Sequence, residues 1–409
     1  MNVISMSKIV SVMLILFFIS GLFITSVSAS DLVEGSWTVK APMQQERLYF
    51  GVVVVDGKIY AIGGVSNRAG IVGANERYAP VTDTWVTLTS MPTPRAGFAI
   101  VEYQNKIYCI GGYAGRVLLD VNEVYDIATD SWNTKTPIPV NESYIQAHVV
   151  DGKIYVVTQQ VLYVYDPVED SWTNKTSIPT QRIHAYSVVV DNKIMIIDQI
   201  AQPDVYPDYS NVQVIAMMKV MIYDPKTDVW SEGQTSPEYD NWDLSIMISI
   251  VAGTTTGFYA PKRIYFILVT TSIHIYDLVE ETWSTTWGPE RTEFTGCGVG
   301  VVDDILYVIG VSYPSSHASS YRNVWVMQYV PNGHKNAVPA PEPSNSPTSP
   351  VTTEPTNPTA TTSEPTDVPK PTLTYIIVAV LAVTIITFAM GSFFYFKSGN
   401  SKTSDKRII

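Results

Sequence analysis

The chain has 409 residues, 46% of them hydrophobic, with 38 acidic side chains against 26 basic ones and a net charge of −12. That negative excess repels polyanions and argues against nucleic acid as a partner. Two cysteines, Cys109 and Cys297, are too few for a disulfide scaffold, so an apolar core must hold together whatever folds here.

In chain order, residues 1–29 are predicted to be a secretory signal peptide. Lys8 supplies the positive start, Ile9 to Ile24 is almost wholly apolar, and Val27-Ser28-Ala29 offers the small residues that a signal peptidase reads. A folded head is predicted over residues 31–335, with a net charge of −13 between Ser30 and Lys335. It opens with Ser36-Trp37-Thr38-Val39-Lys40, which has the form of an outer strand without its hairpin partner. The body of the head then repeats. Five tyrosines are each followed seven residues later by a tryptophan: Tyr78/Trp85, Tyr125/Trp132, Tyr165/Trp172, Tyr223/Trp230 and Tyr276/Trp283. Turn formers such as Asp166-Pro167 and Asp224-Pro225 lie between them. A hairpin recurring at a period of about 50 residues predicts a radial array of small sheets.

A second marker precedes each hairpin: an Ile-Tyr strand opened by a tight turn, as in Asp56-Gly57-Lys58-Ile59-Tyr60 and Asp151-Gly152-Lys153-Ile154-Tyr155. Asp-Gly between apolar runs is a strong hairpin signal, because both central positions favour positive φ. Upstream lie β-branched runs such as Gly51-Val52-Val53-Val54-Val55 and Gly298-Val299-Gly300-Val301-Val302, which suit inner strands covered on both faces. Each unit therefore reads as four strands. Six Ile-Tyr markers accompany five complete hairpins, and the sixth unit stops after its third strand, Asn323 to Tyr329. The Trp37 segment is predicted to complete that unit and close a six-bladed ring.

Beyond the head, residues 336–371 are rich in Pro, Thr, Ser and Glu, and are predicted to be a disordered, glycosylated stalk. At about 3.1 Å per residue in extended Pro-rich chain, it could span roughly 110 Å. Residues 373–396 carry no charge and are predicted to form one transmembrane helix. Lys397, Lys402, Lys406 and Arg407 follow, which assigns residues 397–409 to the cytoplasm. The localisation expected is a single-pass cell-membrane protein with an extracellular head.

The order Arg, apolar strand, Ile-Tyr, Gly-Gly, Asn-Glu, Tyr, Trp is nearly complete in the first two units. There it includes Arg47, Gly63-Gly64, Asn75-Glu76, Arg95, Gly111-Gly112 and Asn122-Glu123. This order resembles the Kelch-repeat β-propellers, over the stretch from about Trp37 to Pro331. Gly-Gly decays to Thr158-Gln159, Asp198-Gln199, Val269-Thr270 and Gly310-Val311 in the later units. The resemblance implies an all-β propeller with a central-domain fold like that of galactose oxidase. It also implies that the connections into the first strand and out of the second form the mouth that meets a ligand.

Arg47, Arg95 and Arg182 each lie thirteen residues before the tyrosine position of the marker, and Arg291 is displaced from the matching place by three. Two readings stand. The four guanidiniums could converge on an anionic group, or each could be structural, paired with a carboxylate such as Glu76 or Glu123 or with loop carbonyls. Three long loops, Gln199 to Lys219, Ser231 to Asp243 and Ser312 to Arg322, add Tyr206, Tyr239, Trp242 and Tyr321 as candidate ligand contacts. Aromatics among carboxylates suit sugars, and they also suit ordinary polar loops.

The two-His, two-Tyr copper site of a galactose oxidase, with its Tyr–Cys cross-link, has no counterpart, and no cofactor or metal is implied. A Kelch-type sugar isomerase would need only an acid/base pair and an Arg, for which Arg182, Glu142 and His184 are candidates. Two sequons, Asn141-Glu142-Ser143 and Asn174-Lys175-Thr176, fit an exported chain. The reading preferred is a binding module for an extracellular protein or glycan on a monomeric head. A carbohydrate-active enzyme or a structural envelope component are the alternatives.

Overall fold

A computed structural model describes residues 32–179, 186–201, 214–237, 239–241, 251–267, 272–289, 296–311 and 325–337. The expected signal peptide, transmembrane segment and tail, and all but the first two residues of the stalk, lie outside these residues. Among the described residues no helix is long and apolar enough to cross a membrane.

Six antiparallel sheets stand around a central channel. Blade 1 orders its strands Gly51–Val55, Lys58–Ile62, Asn75–Ala79 and Thr84–Leu88 from the channel outward. Blades 2 to 5 repeat the order with inner strands Ala99–Tyr103, Gln146–Val150, Tyr186–Val190 and Val251–Thr254. In blade 6, Gly298–Val302, Ile305–Val311 and Trp325–Tyr329 are followed outward by Trp37–Lys40, with Trp37 opposite Tyr329 in register. Each of the five hairpins sets its Tyr opposite its Trp in the same way, as in Tyr78 opposite Trp85.

Each inner strand touches those of both neighbouring blades, and the circuit closes from blade 6 to blade 1. Crowding at the axis explains the glycines there. A Cβ on Gly298 would lie 2.2 Å from Val52 Cγ2. Outside this ring the blades bury apolar cores between one another. Ile59, Tyr78 and Trp85 of blade 1, for example, pack on Ile305, Tyr307 and Val326 of blade 6. The alternating apolar residues of both faces of a blade thus reach a neighbour, which is why the inner runs read as continuously hydrophobic.

The tight turns follow the expected chemistry. Asp56 and Gly57 have φ of 48° and 67°, Asp151 and Gly152 47° and 74°, the double positive φ of a type I′ hairpin. Blade 5 departs from this pattern: residues 255–262 form a longer loop, whose Thr256, Tyr259 and Ala260 N–H groups donate to the Asp304 carboxylate.

Two expected loops are partly strand. Lys193–Ala201 pairs with Val214–Asp224, and Tyr239–Asn241 adds beside Val214–Ala216. The continuous apolar run Val214-Ile215-Ala216-Met217-Met218 accounts for the extension, because an unbroken apolar stretch favours strand over polar loop. Both cysteines are buried and neither is in a disulfide, Cys109 lying on the second strand of blade 2 and Cys297 just ahead of the inner strand of blade 6.

Candidate functional site

The antiparallel order sends the connections into each inner strand and out of each second strand to one face, called here the loop face. The tight turns lie on the other, the turn face. Both ends of the described chain sit on the turn face. Gly35 N donates to Val330 O at 2.8 Å, Lys335 N donates to Tyr259 O at 2.7 Å, and His334 stacks on Tyr259 with 5.8 Å between ring centroids.

Arg47 and Arg95 do not face a ligand. The Arg47 side chain is 0% exposed and ion-paired with Glu76, while its Nη1 and Nη2 donate to Gln45 O and Ala61 O, each at 2.8 Å. Arg95 repeats this with Glu123, Thr93 O and Cys109 O, the last at 2.7 Å. Each guanidinium also lies over a phenylalanine ring, Phe50 at 5.5 Å and Phe98 at 5.4 Å. The cation is consumed in tying the entering loop to the second and third strands of its own blade. The structural reading of these two arginines is the one the geometry supports.

Arg182, Arg291, Tyr206, Trp242 and Tyr321 lie outside the described residues. Tyr239 begins the short added strand of blade 4. Among the described residues no group of three or more His, Cys, Asp or Glu is arranged to hold a metal.

The Gly-Gly pairs serve the same packing. Gly63 and Gly64 have φ of 66° and 107°, and a Cβ on Gly63 would lie 2.6 Å from Arg95 O. Gly64 N donates to that same carbonyl at 2.9 Å, hooking blade 1 to blade 2.

The loop face carries a feature that the sequence reading missed. Four residues that lead into inner strands all have left-handed φ: Tyr49 at 56°, Gly97 at 60°, Tyr144 at 57° and Gly296 at 58°. Their backbones form a chain around the channel mouth. Tyr49 N donates to Gly296 O at 2.9 Å, Gly97 N to Tyr49 O at 3.0 Å, and Tyr144 N to Gly97 O at 2.6 Å. Glycine occupies this conformation freely, whereas a tyrosine pays about 1–2 kcal/mol for it.

The two strained tyrosines meet a third. Tyr49 and Tyr144 are edge-to-face with centroids 6.1 Å apart, and Tyr113 lies 5.7 Å from Tyr144, whose hydroxyl donates to it at 3.5 Å. Burial, and then that hydrogen bond, push the Tyr113 hydroxyl above its usual pKa, so it remains a neutral phenol. Tyr144 is 52% exposed, and Val117 and Leu118 of the neighbouring hairpin are exposed at 60% and 45%. Beside this patch is a hollow of about 370 Å³, lined by Leu118, Val140, Glu142, Gln159 and Tyr163 among others. The signal was present: Arg47-Leu48-Tyr49-Phe50 aligns with Arg95-Ala96-Gly97-Phe98, so a tyrosine stands where its repeat has glycine.

Below the mouth, the channel holds a cavity of about 320 Å³ lined by inner-strand residues. Its wall includes His148 Nε2 at 2.7 Å from Ser187 Oγ, which in turn donates to Gln146 Oε1 at 2.5 Å.

On the turn face a second device joins the blades. Tyr78, Tyr125, Tyr165 and Tyr223 donate their hydroxyls to Asp83, Asp130, Asp170 and Asp228, at 2.5–2.7 Å. Each aspartate also accepts a backbone N–H from the preceding blade, and the adjacent tryptophan donates to the carbonyl of that same residue. Thr89, for example, donates to Asp130 Oδ1 at 2.9 Å and accepts from Trp132 Nε1 at 2.8 Å. In blade 5 the aspartate is replaced by Glu281, and buried Trp283 Nε1 has no hydrogen-bond partner.

Six four-stranded blades around a channel, hooked through repeated loops, define a β-propeller. Residues 46–92 and 94–138 match the Kelch motif, and these two repeats within a six-bladed ring support a Kelch-repeat propeller. The structure of YjhT is similar with a TM-score of 0.51 at 14% identity, over 71% of this chain and 96% of that one. That likeness concerns the fold alone. No curated protein matches the sequence.

Proposed function

We propose that this protein is a cell-surface interaction module whose loop face recognises an extracellular partner, a protein segment or a glycan. The observation that carries the reading is the tyrosine cluster at the channel mouth. Tyr49 and Tyr144 hold a backbone conformation that favours glycine, and Tyr144 remains half exposed. Strain retained for the sake of an exposed aromatic is the mark of a functional surface rather than of packing. Tyrosine supplies a rigid apolar face and a hydroxyl at little entropic cost, which suits both protein and sugar partners.

Both described chain ends lie on the turn face, opposite the tyrosines, which supports attachment on that side of the ring. The predicted signal peptide, stalk and membrane segment support the extracellular setting. The test is a combined glycan and protein array probed with the full-length protein. Saturable binding that Tyr144→Ala weakens at least tenfold is expected. Binding indifferent to Tyr144→Ala and Tyr113→Ala would move the site off this face.

A further inference from the structure

We propose that residues 332–337 form a latch on blade 5, and that withdrawing it loosens that blade while the rest of the ring stays closed. The inference is independent of what the loop face binds.

Blade 5 lies outside the outer clasp. From blade 6 round to blade 4 the same two bonds recur at each seam. Ala41, Thr89, Thr136 and Thr176 each donate N–H to the aspartate of the next blade and accept from its tryptophan indole. Both seams of blade 5 lack that aspartate. At the seam with blade 4, Glu281 stands in its place, and Trp283 Nε1 has no partner among the described residues. At the seam with blade 6 the place falls to Gly35, which has no carboxylate to offer.

The chain that leaves the head bridges this gap from the turn face. Blade 5 replaces its tight turn with the loop 255–262, and residues 332–337 lie against it. Lys335 N donates to Tyr259 O at 2.7 Å, and Arg263 Nη1 donates to Asn332 O at 3.4 Å. The His334 ring is within 13° of parallel to Tyr259. The Lys335 ammonium donates to Phe258 O and lies 5.4 Å from the centre of the Phe258 ring. Gly333, with φ of 82°, lets the backbone pass close to Pro261, where a Cβ would stand 3.1 Å from the proline ring.

The same segment grips blade 6. His334 is 2% exposed, its Nε2–H donates to Asp303 O at 2.9 Å, and its Nδ1 accepts from Asn336 N–H at 3.3 Å. Both nitrogens of a neutral imidazole are thereby used. Asp304, beside it in the chain, pins the 255–262 loop through the Thr256, Tyr259 and Ala260 N–H groups. Blade 5 is thus fastened near its inner turn, by blade 6 and by the departing chain, where other blades are fastened at the rim. Residues 338–409 follow directly, so a pull on them reaches the latch before any strand of the ring.

The test is native-state hydrogen exchange of the full-length protein, read by mass spectrometry. His334→Ala and Tyr259→Ala each remove the stacked pair and leave every strand residue unchanged. Each should speed exchange about tenfold in Val251–Thr254, Arg263–Ile267 and Ser272–Asp277, with blades 1 to 3 unaffected. Lys335→Met removes only the contacts to Phe258 and should give about a threefold rise in the same strands, which serves if the other variants do not fold. The latch is overturned if exchange in blade 5 is unchanged, if it rises equally in all six blades, or if another blade responds most.

Discussion

Replacing Arg95 by methionine should cost stability, and should not act by removing a ligand contact. The substitution keeps an apolar stem over Phe98 but leaves Glu123, 3% exposed, with the Thr93 hydroxyl and no guanidinium. The carbonyls of Thr93 and Cys109 lose their donor as well. Breaking a buried pair by removing one partner costs about 3–5 kcal/mol. An unfolding entropy near 2.1 cal/mol/K per residue over a head of about 300 residues gives ~0.6 kcal/mol/K, so the melting temperature should fall by roughly 5–8 °C. The double variant Arg95→Met/Glu123→Leu should recover most of that loss, because no charge is then left buried alone. Differential scanning calorimetry of the full-length single and double variants reads both. An unchanged melting temperature together with lost partner binding would refute the reasoning and return Arg95 to the recognition surface.

Burial holds His274 down at about 4, from an ordinary value of 6.5. The unfolded imidazole therefore takes a proton that the folded one refuses, and stability falls as pH drops from about 6.5 toward 4, by an amount on the order of 3 kcal/mol. Urea titrations across that range should show the loss, and His274→Leu should flatten it. Burial pushes the thiols of Cys109 and Cys297 up to about 12, so a thiol reagent at neutral pH should label neither until the protein is unfolded. Glu281→Asp should restore the blade-to-blade clasp at Trp283 and raise stability by about 1 kcal/mol, measured by thermal melting; a decrease would show that the blade 5 turn has settled into its own geometry.

Much of the ring was legible because its signals are local. The Tyr-to-Trp hairpins and the Ile-Tyr strands are short-range patterns, and the register pairs Tyr125 with Trp132 and Tyr78 with Trp85, as the spacing required. The arginines were harder. Sequence gives a charge at a recurring position but not the burial that decides whether the charge is spent inward, and in blades 1 and 2 Glu76 and Glu123 absorb it. The aspartates two residues before Trp85, Trp132, Trp172 and Trp230 were equally periodic and went unread, since their partners lie a whole blade away. The channel network could not have been found from spacing, because Gln146 and Ser187 are 41 residues apart and meet only where two inner strands converge. The long loops of blade 4 were misjudged for a different reason: polar residues masked an apolar run that extends the sheet.

The pairing of Trp37–Lys40 with Trp325–Tyr329, together with the Gly35–Val330 hydrogen bond, brings the first and last described stretches of the head side by side. In a wheel the position of the break is a matter of genetics rather than mechanics. A short peptide joining the two stretches, with new termini opened at the exposed Ala128-Thr129 turn, should give a permuted head with the same six sheets. Such a permutant would move the points of attachment to the blade 2 hairpin without disturbing the axis.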